Sequence, residues 1–335
     1  MTIGTVRQTE AAQRIFGSLF ELIRADLAKV EDSLKQQLRS ADPYVDQLVK
    51  HGFRLGGKRL RPALLLLAAA ATGTVGPAHI TLAVVMEMIH TATLIHDDVL
   101  DEASLRRHLD TVNARWGNKS GVLLGDFLFS HAFYLSATLD DALACRLIGR
   151  STNIVCEGEM RQINSGGNLN LTEAEYLSII DAKTAELCAC CCRLGAHFSG
   201  ASAEQEVVLE RYGRNLGVAF QIVDDLLDLE GREELTGKSL GTDLAQLKPT
   251  LPLIRMLERL PTAERAEVVN VLASTEGRSR EQLEPWLART DALAYTRDKA
   301  LEHARAAQTE LLQLTASPAV QALHHLAESV VRREA

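Results

Sequence analysis

Met86-Glu87-Met88-Ile89-His90-Thr91-Ala92-Thr93-Leu94-Ile95-His96-Asp97-Asp98-Val99-Leu100-Asp101 is the stretch whose reading decides the fold. It closes an apolar segment that begins at Ile80 and ends on three carboxylates in five residues. A second such ending, Asp224-Asp225-Leu226-Leu227-Asp228, follows the apolar run from Leu216 to Val223. Positions i and i+4 share a helix face, so Asp97 points with Asp101, and Asp224 with Asp228. Like charges at this spacing repel, and anions at the end of a helix oppose its dipole. One such cluster is ordinarily a solvated helix end. Two matching clusters, each preceded by apolar sequence, require compensating cations. Hard oxygen donors without nearby His or Cys clusters suit Mg²⁺, which takes one or two carboxylates plus phosphate oxygens.

Composition narrows the class. The chain has 335 residues, 46% hydrophobic and only 4% aromatic, enough to build a large core of closely packed helices. A net charge of -8 argues against a general nucleic-acid surface. Met1 to Glu10 lacks the basic-then-apolar pattern of a secretion signal. The longest uninterrupted apolar run, Pro62 to Ala71, falls short of the ~20 residues that span a bilayer. Six cysteines include Cys188, Cys190, Cys191 and Cys192. Without a second C-x₂₋₄-C pair they read as reduced packing residues rather than a zinc site, and the expected compartment is the cytoplasm.

The remaining sequence repeats the helical period. Phe16, Leu19, Phe20, Ile23, Leu27, Val30 and Leu34 form one stripe within 9–38, and a short helix is expected at about 43–50. Pro62 and Gly73 bracket a further helix, and Pro77 starts the one that carries the first acidic motif. Helices are expected at about 119–139, 141–164, 173–199 and 203–229, with shorter ones from 250 to 333. Thr172 and Glu175 make a capping box for the cysteine-bearing helix. Polar loops, Glu102 to Asn118 and Gly231 to Pro249, directly follow the aspartate motifs. They carry Arg106, Arg107, Lys238 and Lys248. No strand pattern or Gly/Ser linker interrupts this, so the expectation is one all-α domain over 1–335.

Carboxylates, Mg²⁺ and cations together describe a phosphate site, with Arg forks holding oxygens bidentately. Two basic sets, Lys58-Arg59 with Arg61 and Arg106-Arg107, hint at two phosphorylated substrates. The wall of Met86, Met88, Ile89, Ala92, Leu94 and Ile95 offers an apolar channel below the acidic rim, and bundle cores commonly house such sites. A diphosphate leaving group at the rim and a dry cavity beneath suit allylic cation chemistry.

At this point the chain resembles the trans-polyprenyl diphosphate synthases, most closely the bacterial octaprenyl-forming ones. The resemblance spans nearly the whole chain. It is carried by Gly56-Gly57-Lys58-Arg59-Leu60-Arg61-Pro62, His90 through Asp98, Arg106-Arg107, Lys183-Thr184, Gln221 with the second aspartate motif, and Gly237-Lys238 leading to Lys248-Pro249-Thr250. It implies an isoprenoid-synthase-type helical bundle around a central hydrophobic cavity. It also implies a catalytic set of Asp97, Asp98, Asp101, Asp224, Asp225 and Asp228 with Lys183. Asp97, Asp101, Asp224 and Asp228 would hold two or three Mg²⁺ ions. Arg106, Lys183, Thr184, Gln221 and Lys238 would bind the allylic diphosphate. Lys58, Arg61, His90 and Arg107 would bind isopentenyl diphosphate. The resemblance further implies a homodimer and products used as quinone side chains. Transient contact with a membrane surface is expected for product release.

Short-chain members of this family place a bulky aromatic about one turn before the first aspartate. Ala92 and Thr93 stand there instead, so the channel is expected to stay open past Ala92 and Ile89. Its floor is expected near Phe127, Phe129, Phe133 and Tyr134. Octaprenyl is the expected product, with nonaprenyl, decaprenyl and geranylgeranyl as alternatives. His108 departs from the family's usual Gly after the arginine pair. His90 alone would read as a core histidine, and His96, next to Asp97, equally as a support for that carboxylate or as a structural group. Arg332-Arg333 reads as a solvated terminus. A terpene cyclase would lack the second intact aspartate motif, and a non-catalytic partner subunit would show eroded ones.

Overall fold

The computed structural model describes residues 20–55, 57, 59–230, 241–274 and 280–332. Lys58, Gly237, Lys238 and Arg333, and the start of the N-terminal stripe including Phe16 and Leu19, lie outside these residues.

The architecture is all-α. After a 3₁₀ turn at Glu21–Ile23, the chain forms α1 (Arg24–Gln37), α2 (Pro43–Arg54), α3 (Leu60–Thr72) and α4 (Pro77–Leu100). Asp42 caps α2 by accepting from the amides of Tyr44 and Val45, with Pro43 in the first turn. That helix runs to Arg54, past the expected end at 50. Helix α3 begins at Leu60 rather than at Pro62. Proline is tolerated there because a first-turn N–H has no helical partner.

The arginine loop holds the first departure from the expected pattern. Two-residue strands, β1 (Leu105–Arg106) and β2 (Leu109–Asp110), pair antiparallel, and α5 (Val112–Trp116) follows. Arg107 and His108 form the turn between them with φ of 52° and 62°. Positive φ at both central residues is the two-residue hairpin geometry that favours Asn-Gly. This explains why glycine would be at home at 108.

Next come α6 (Asn118–Ala137), α7 (Ala142–Ser165) and α8 (Glu173–Ile180). The Thr172–Glu175 capping box is present, with Thr172 N–H donating to Glu175 at 2.8 Å. The expected single helix 173–199 is interrupted. A π segment, Asp181–Ala185, separates α8 from α9 (Glu186–Phe198). Helix α10 (Ala203–Glu230) carries the second motif. The described remainder comprises α11 (Thr242–Ala245), α12 (Leu251–Arg259), α13 (Thr262–Ala273), α14 (Arg280–Leu287), α15 (Ala292–Leu311) and α16 (Pro318–Val331).

Helix α4 packs against α6, α3 and α1, while α9 lies between α3 and α10, and α15 backs α10. By length and composition α4 could cross a membrane, but 67% of its apolar window is buried, so it serves as a core helix. Residues Ala63 to Ala69 of α3 are wholly buried. Helix α9 approaches α3 so closely that a Cβ at Gly195 would collide with the Leu65 carbonyl. Cys188, Cys190, Cys191 and Cys192 are free thiols buried on α9. Burial raises all four, Cys190 to about 12, so they pack as small apolar groups.

Candidate functional site

The last turn of α4 aims its three carboxylates differently. Asp98 is 1% exposed and turns inward. Arg106 grips its Oδ1 through Nε and Nη2, both at 2.8 Å. Asn113 donates to the main-chain oxygens of Asp98 and Ala103, fastening the loop to the helix end. Asp101 accepts from Lys248 Nζ at 3.0 and 3.3 Å. Asp97 faces Lys183 and Glu159. Burial pushes its carboxyl up to about 6; Lys183 pulls it down, while Glu159 and Asp101 push it up.

The second motif divides in the same way. Asp225 is 6% exposed and accepts from Gln221 Nε2 and Tyr176 Oη, both at 2.7 Å. Burial raises its carboxyl, and the charge of Asp243 adds to this. Asp228 accepts from Thr242 Oγ1 and from the amide of Asp243, both at 3.1 Å. Lys248 stands 3.9 Å from Asp243. One short segment, 242–248, therefore touches Asp228 at one end and Asp101 at the other. That segment ties the two motifs into one acidic mouth at the ends of α4 and α10.

Lys183 and Thr184 come from the π segment. Lys183 Nζ meets Glu159 at 2.5 Å and donates to Gln162 at 2.6 Å, both on α7. Burial works against its charge, yet Asp97 and Glu159 hold it above the ordinary lysine range. Thr184 donates to Gln221 Oε1 at 2.8 Å, and Gln221 passes the chain of bonds on to Asp225. Buried networks of this kind fix side-chain positions when fully satisfied.

A cation cluster occupies the other side. Burial holds the His90 imidazole well below its usual range, and Arg61, Arg107 and Arg106 depress it further. His90 is therefore neutral at physiological pH and can donate a hydrogen bond. Arg107 donates to the Leu55 carbonyl at 3.0 Å, and its guanidinium fills the space a Cβ at Gly57 would need. The buried Nε of Arg61 has no hydrogen-bond partner among the described residues. Guanidinium groups gathered with a polar atom still to satisfy are what an incoming diphosphate would complete. Arg59 differs from its neighbours in sequence. Glu31 and Glu87, the latter at 2.8 Å, hold it between them, so it is a strut rather than a waiting cation.

The chain-length candidates are spread apart. Ala92 is 0% and Ile89 1% exposed within the core, whereas Phe133 is 36% exposed, its ring edge toward Gly149 on α7. His96 lies on Gly125 and its Nε2 is 3.0 Å from the Val122 carbonyl, a packing role. Arg332 pairs with Glu328 at the exposed end of α16. Sequence reasoning passed over Glu159, Gln162, Tyr176 and Asp243. The i, i+3 spacing of Glu159 and Gln162 on α7 was the only available signal.

Among the described residues, no three His, Cys, Asp or Glu side chains converge as a ready-made metal cage. The carboxylates at the mouth still fit Mg²⁺. That ion takes one or two protein carboxylates and completes its octahedron with phosphate and water oxygens.

A family model described as polyprenyl synthetase matches residues 42–288. Octaprenyl diphosphate synthase of Escherichia coli (strain K12) is 39% identical over 317 residues, covering 94% of this chain and 98% of that protein. The all-trans-nonaprenyl-diphosphate synthase (geranyl-diphosphate specific) of Rhodobacter capsulatus is 36% identical over 313 residues, covering 93% and 96%. A crystal structure of polyprenyl synthase from Caulobacter crescentus CB15, complexed with calcium and isoprenyl diphosphate, superposes with a TM-score of 0.90 at 36% identity. It covers 96% of this chain and 98% of that one.

Proposed function

Because the chain belongs to the polyprenyl synthetase family, and is thus a prenyltransferase of the long-chain trans type, we propose that it extends farnesyl diphosphate with isopentenyl diphosphate to octaprenyl diphosphate. The convergence of both aspartate motifs on one mouth through Lys248 and Asp243 carries this reading. Asp97, Asp101, Asp224 and Asp228 would hold two or three Mg²⁺ ions, whose charge would make diphosphate a better leaving group. Asp98 and Asp225 act from behind, fixing Arg106 and Gln221. Lys183, Thr184, Gln221 and Arg106, with Lys238, bind the allylic diphosphate.

Arg61, Arg107 and neutral His90, with Lys58, bind the diphosphate of isopentenyl diphosphate. The allylic C–O bond breaks and the isopentenyl double bond forms the new C–C bond. A proton then leaves to the departing diphosphate, so no side chain is needed as nucleophile. The apolar wall from Ile89 to Ile95 keeps water from the cation. Exposed apolar side chains on α6 (Val122, Leu123 and Tyr134) and α7 (Met160 and Ile163) support pairing of two copies. One domain over 1–335, working in the cytoplasm and supplying quinone side chains, completes the proposal.

The test is one incubation of purified protein with farnesyl diphosphate, isopentenyl diphosphate and Mg²⁺, with products sized by mass spectrometry. An octaprenyl product that disappears in Asp224→Asn supports the reading. A nonaprenyl, decaprenyl or geranylgeranyl product corrects the length, and no extension of the primer overturns the assignment.

A further inference from the structure

The π segment Asp181–Ala185 is the least regular part of the wall, and it supplies Lys183 and Thr184. Its defining bond runs from the Glu186 amide to the Asp181 carbonyl, one residue wider than an α turn. Such bulges are rare, fall often at functional sites, and persist only where the surroundings hold them. Neighbouring helical residues point about 100° apart. Lys183 accordingly reaches Gln162 on α7, while the buried Thr184 reaches Gln221 on α10.

A single side chain spans the bulge. Arg214 on α10 donates through Nη1 to both oxygens of Asp181, at 3.0 and 2.9 Å. Its Nη2 donates to Glu186 Oε2 at 2.6 Å. Asp181 opens the widened turn and Glu186 immediately follows it, so one planar fork grips both ends. The other oxygen of Glu186 accepts from Ser151 on α7 at 2.8 Å. Backbone from the same two helices closes in. A Cβ at Gly158 would sit 2.7 Å from the Lys183 amide nitrogen, and one at Gly217 would sit 2.5 Å from Ala185 Cα. The segment is thus slotted between two glycines and fastened by one guanidinium.

We propose that Arg214 is a positioning residue. By bridging Asp181 and Glu186, it locks the π segment in the register that presents Lys183 and Thr184 to the allylic diphosphate. It does not touch substrate itself. This inference rests on the reading of Lys183 and Thr184 as allylic ligands. Arg214 and Asp181 side chains are 32% and 39% exposed, so replacing either opens no core cavity.

The test uses the full chain and the variants Arg214→Gln, Arg214→Lys and Asp181→Asn. Amide hydrogen exchange across 181–187 is read alongside KM for each substrate. Arg214→Gln is expected to speed exchange in that segment alone and to raise the allylic KM about tenfold, the worth of a charge-assisted pair. KM for isopentenyl diphosphate and product length stay unchanged. Arg214→Lys reaches one carboxylate but not both, and falls between. Asp181→Asn moves the same readouts less. Unchanged exchange at 181–187 overturns the clamp. So does a parallel rise of both KM values with a general loss of stability, which a merely structural residue would give. Lys183→Ala is measured beside them. If it leaves the allylic KM unaltered, the ligand assignment has failed, and exchange still judges the clamp.

Discussion

Asp97→Asn should stabilise the metal-free protein while disabling it. The Asp97 carboxyl stands at about 6, against an ordinary 3.8, chiefly because of its burial. Its folded value lies above its unfolded one, so ionisation opposes folding. The cost is small below about pH 4, grows as pH rises between the two values, and is full above about pH 6. The gap corresponds to about 3 kcal/mol at pH 8. An amide of the same shape carries no charge and escapes that cost. Thermal unfolding followed by circular dichroism, in chelator, should place the variant about 5 °C above the parent at pH 8. The difference should shrink toward zero near pH 4. Adding Mg²⁺ with diphosphate should raise the parent more than the variant, because the variant keeps three of the four proposed carboxylate ligands. Turnover should fall about 100-fold or more, as for other losses of electrostatic stabilisation at a reacting centre. A variant no more stable than the parent at pH 8, or equally favoured at pH 4 and pH 8, would refute the reasoning.

Other consequences can be measured separately. Ala92→Phe puts a ring into a fully buried wall, so products should shorten at a stability cost of about 1–3 kcal/mol; unchanged product length in a radiolabelled isopentenyl assay counts against Ala92 as a length determinant. Glu87→Ala removes the 2%-exposed partner of Arg59, and denaturant titration should show a loss of about 3–5 kcal/mol. A loss within error would mean that Glu31 holds Arg59 unaided. His108→Gly relieves a left-handed φ of 62° and should stabilise by about 1 kcal/mol. A destabilised His108→Gly would show that the imidazole contributes more than its backbone strain costs.

The long helices and the acidic motifs could be read from sequence because both follow from spacing. Apolar periodicity placed α4 and α10, Thr172 with Glu175 marked the start of α8, and the aspartate spacing drew attention to the two helix ends that segment 242–248 joins. Two local features stayed hidden for physical reasons. The π segment has the composition of an ordinary helix; its extra width comes from Arg214 and from glycines more than twenty residues away on either side. The hairpin lacks its usual glycine, because His108 takes the strained position. Charge alone also misassigned Arg59. A basic run beside glycines suggests that every cation awaits an anion, but Glu31 and Glu87 come from helices distant in sequence. Glu159 and Gln162 are far in sequence from Lys183, so only the fold brings the three together.

Where Gly195 meets Leu65 and Gly217 meets Ala185, main chain rests directly on main chain. Side chains can yield by changing rotamer, but peptide planes in contact cannot. The partition formed by α3, α9 and α10 is therefore rigid on the scale of an isoprene unit. Under the proposed function, a lengthening hydrocarbon would have to find its room away from that partition, on the flank of Ala92. On that reading, engineering of product size belongs at Ala92, since bulk added at Gly195 or Gly217 would first push main chain apart.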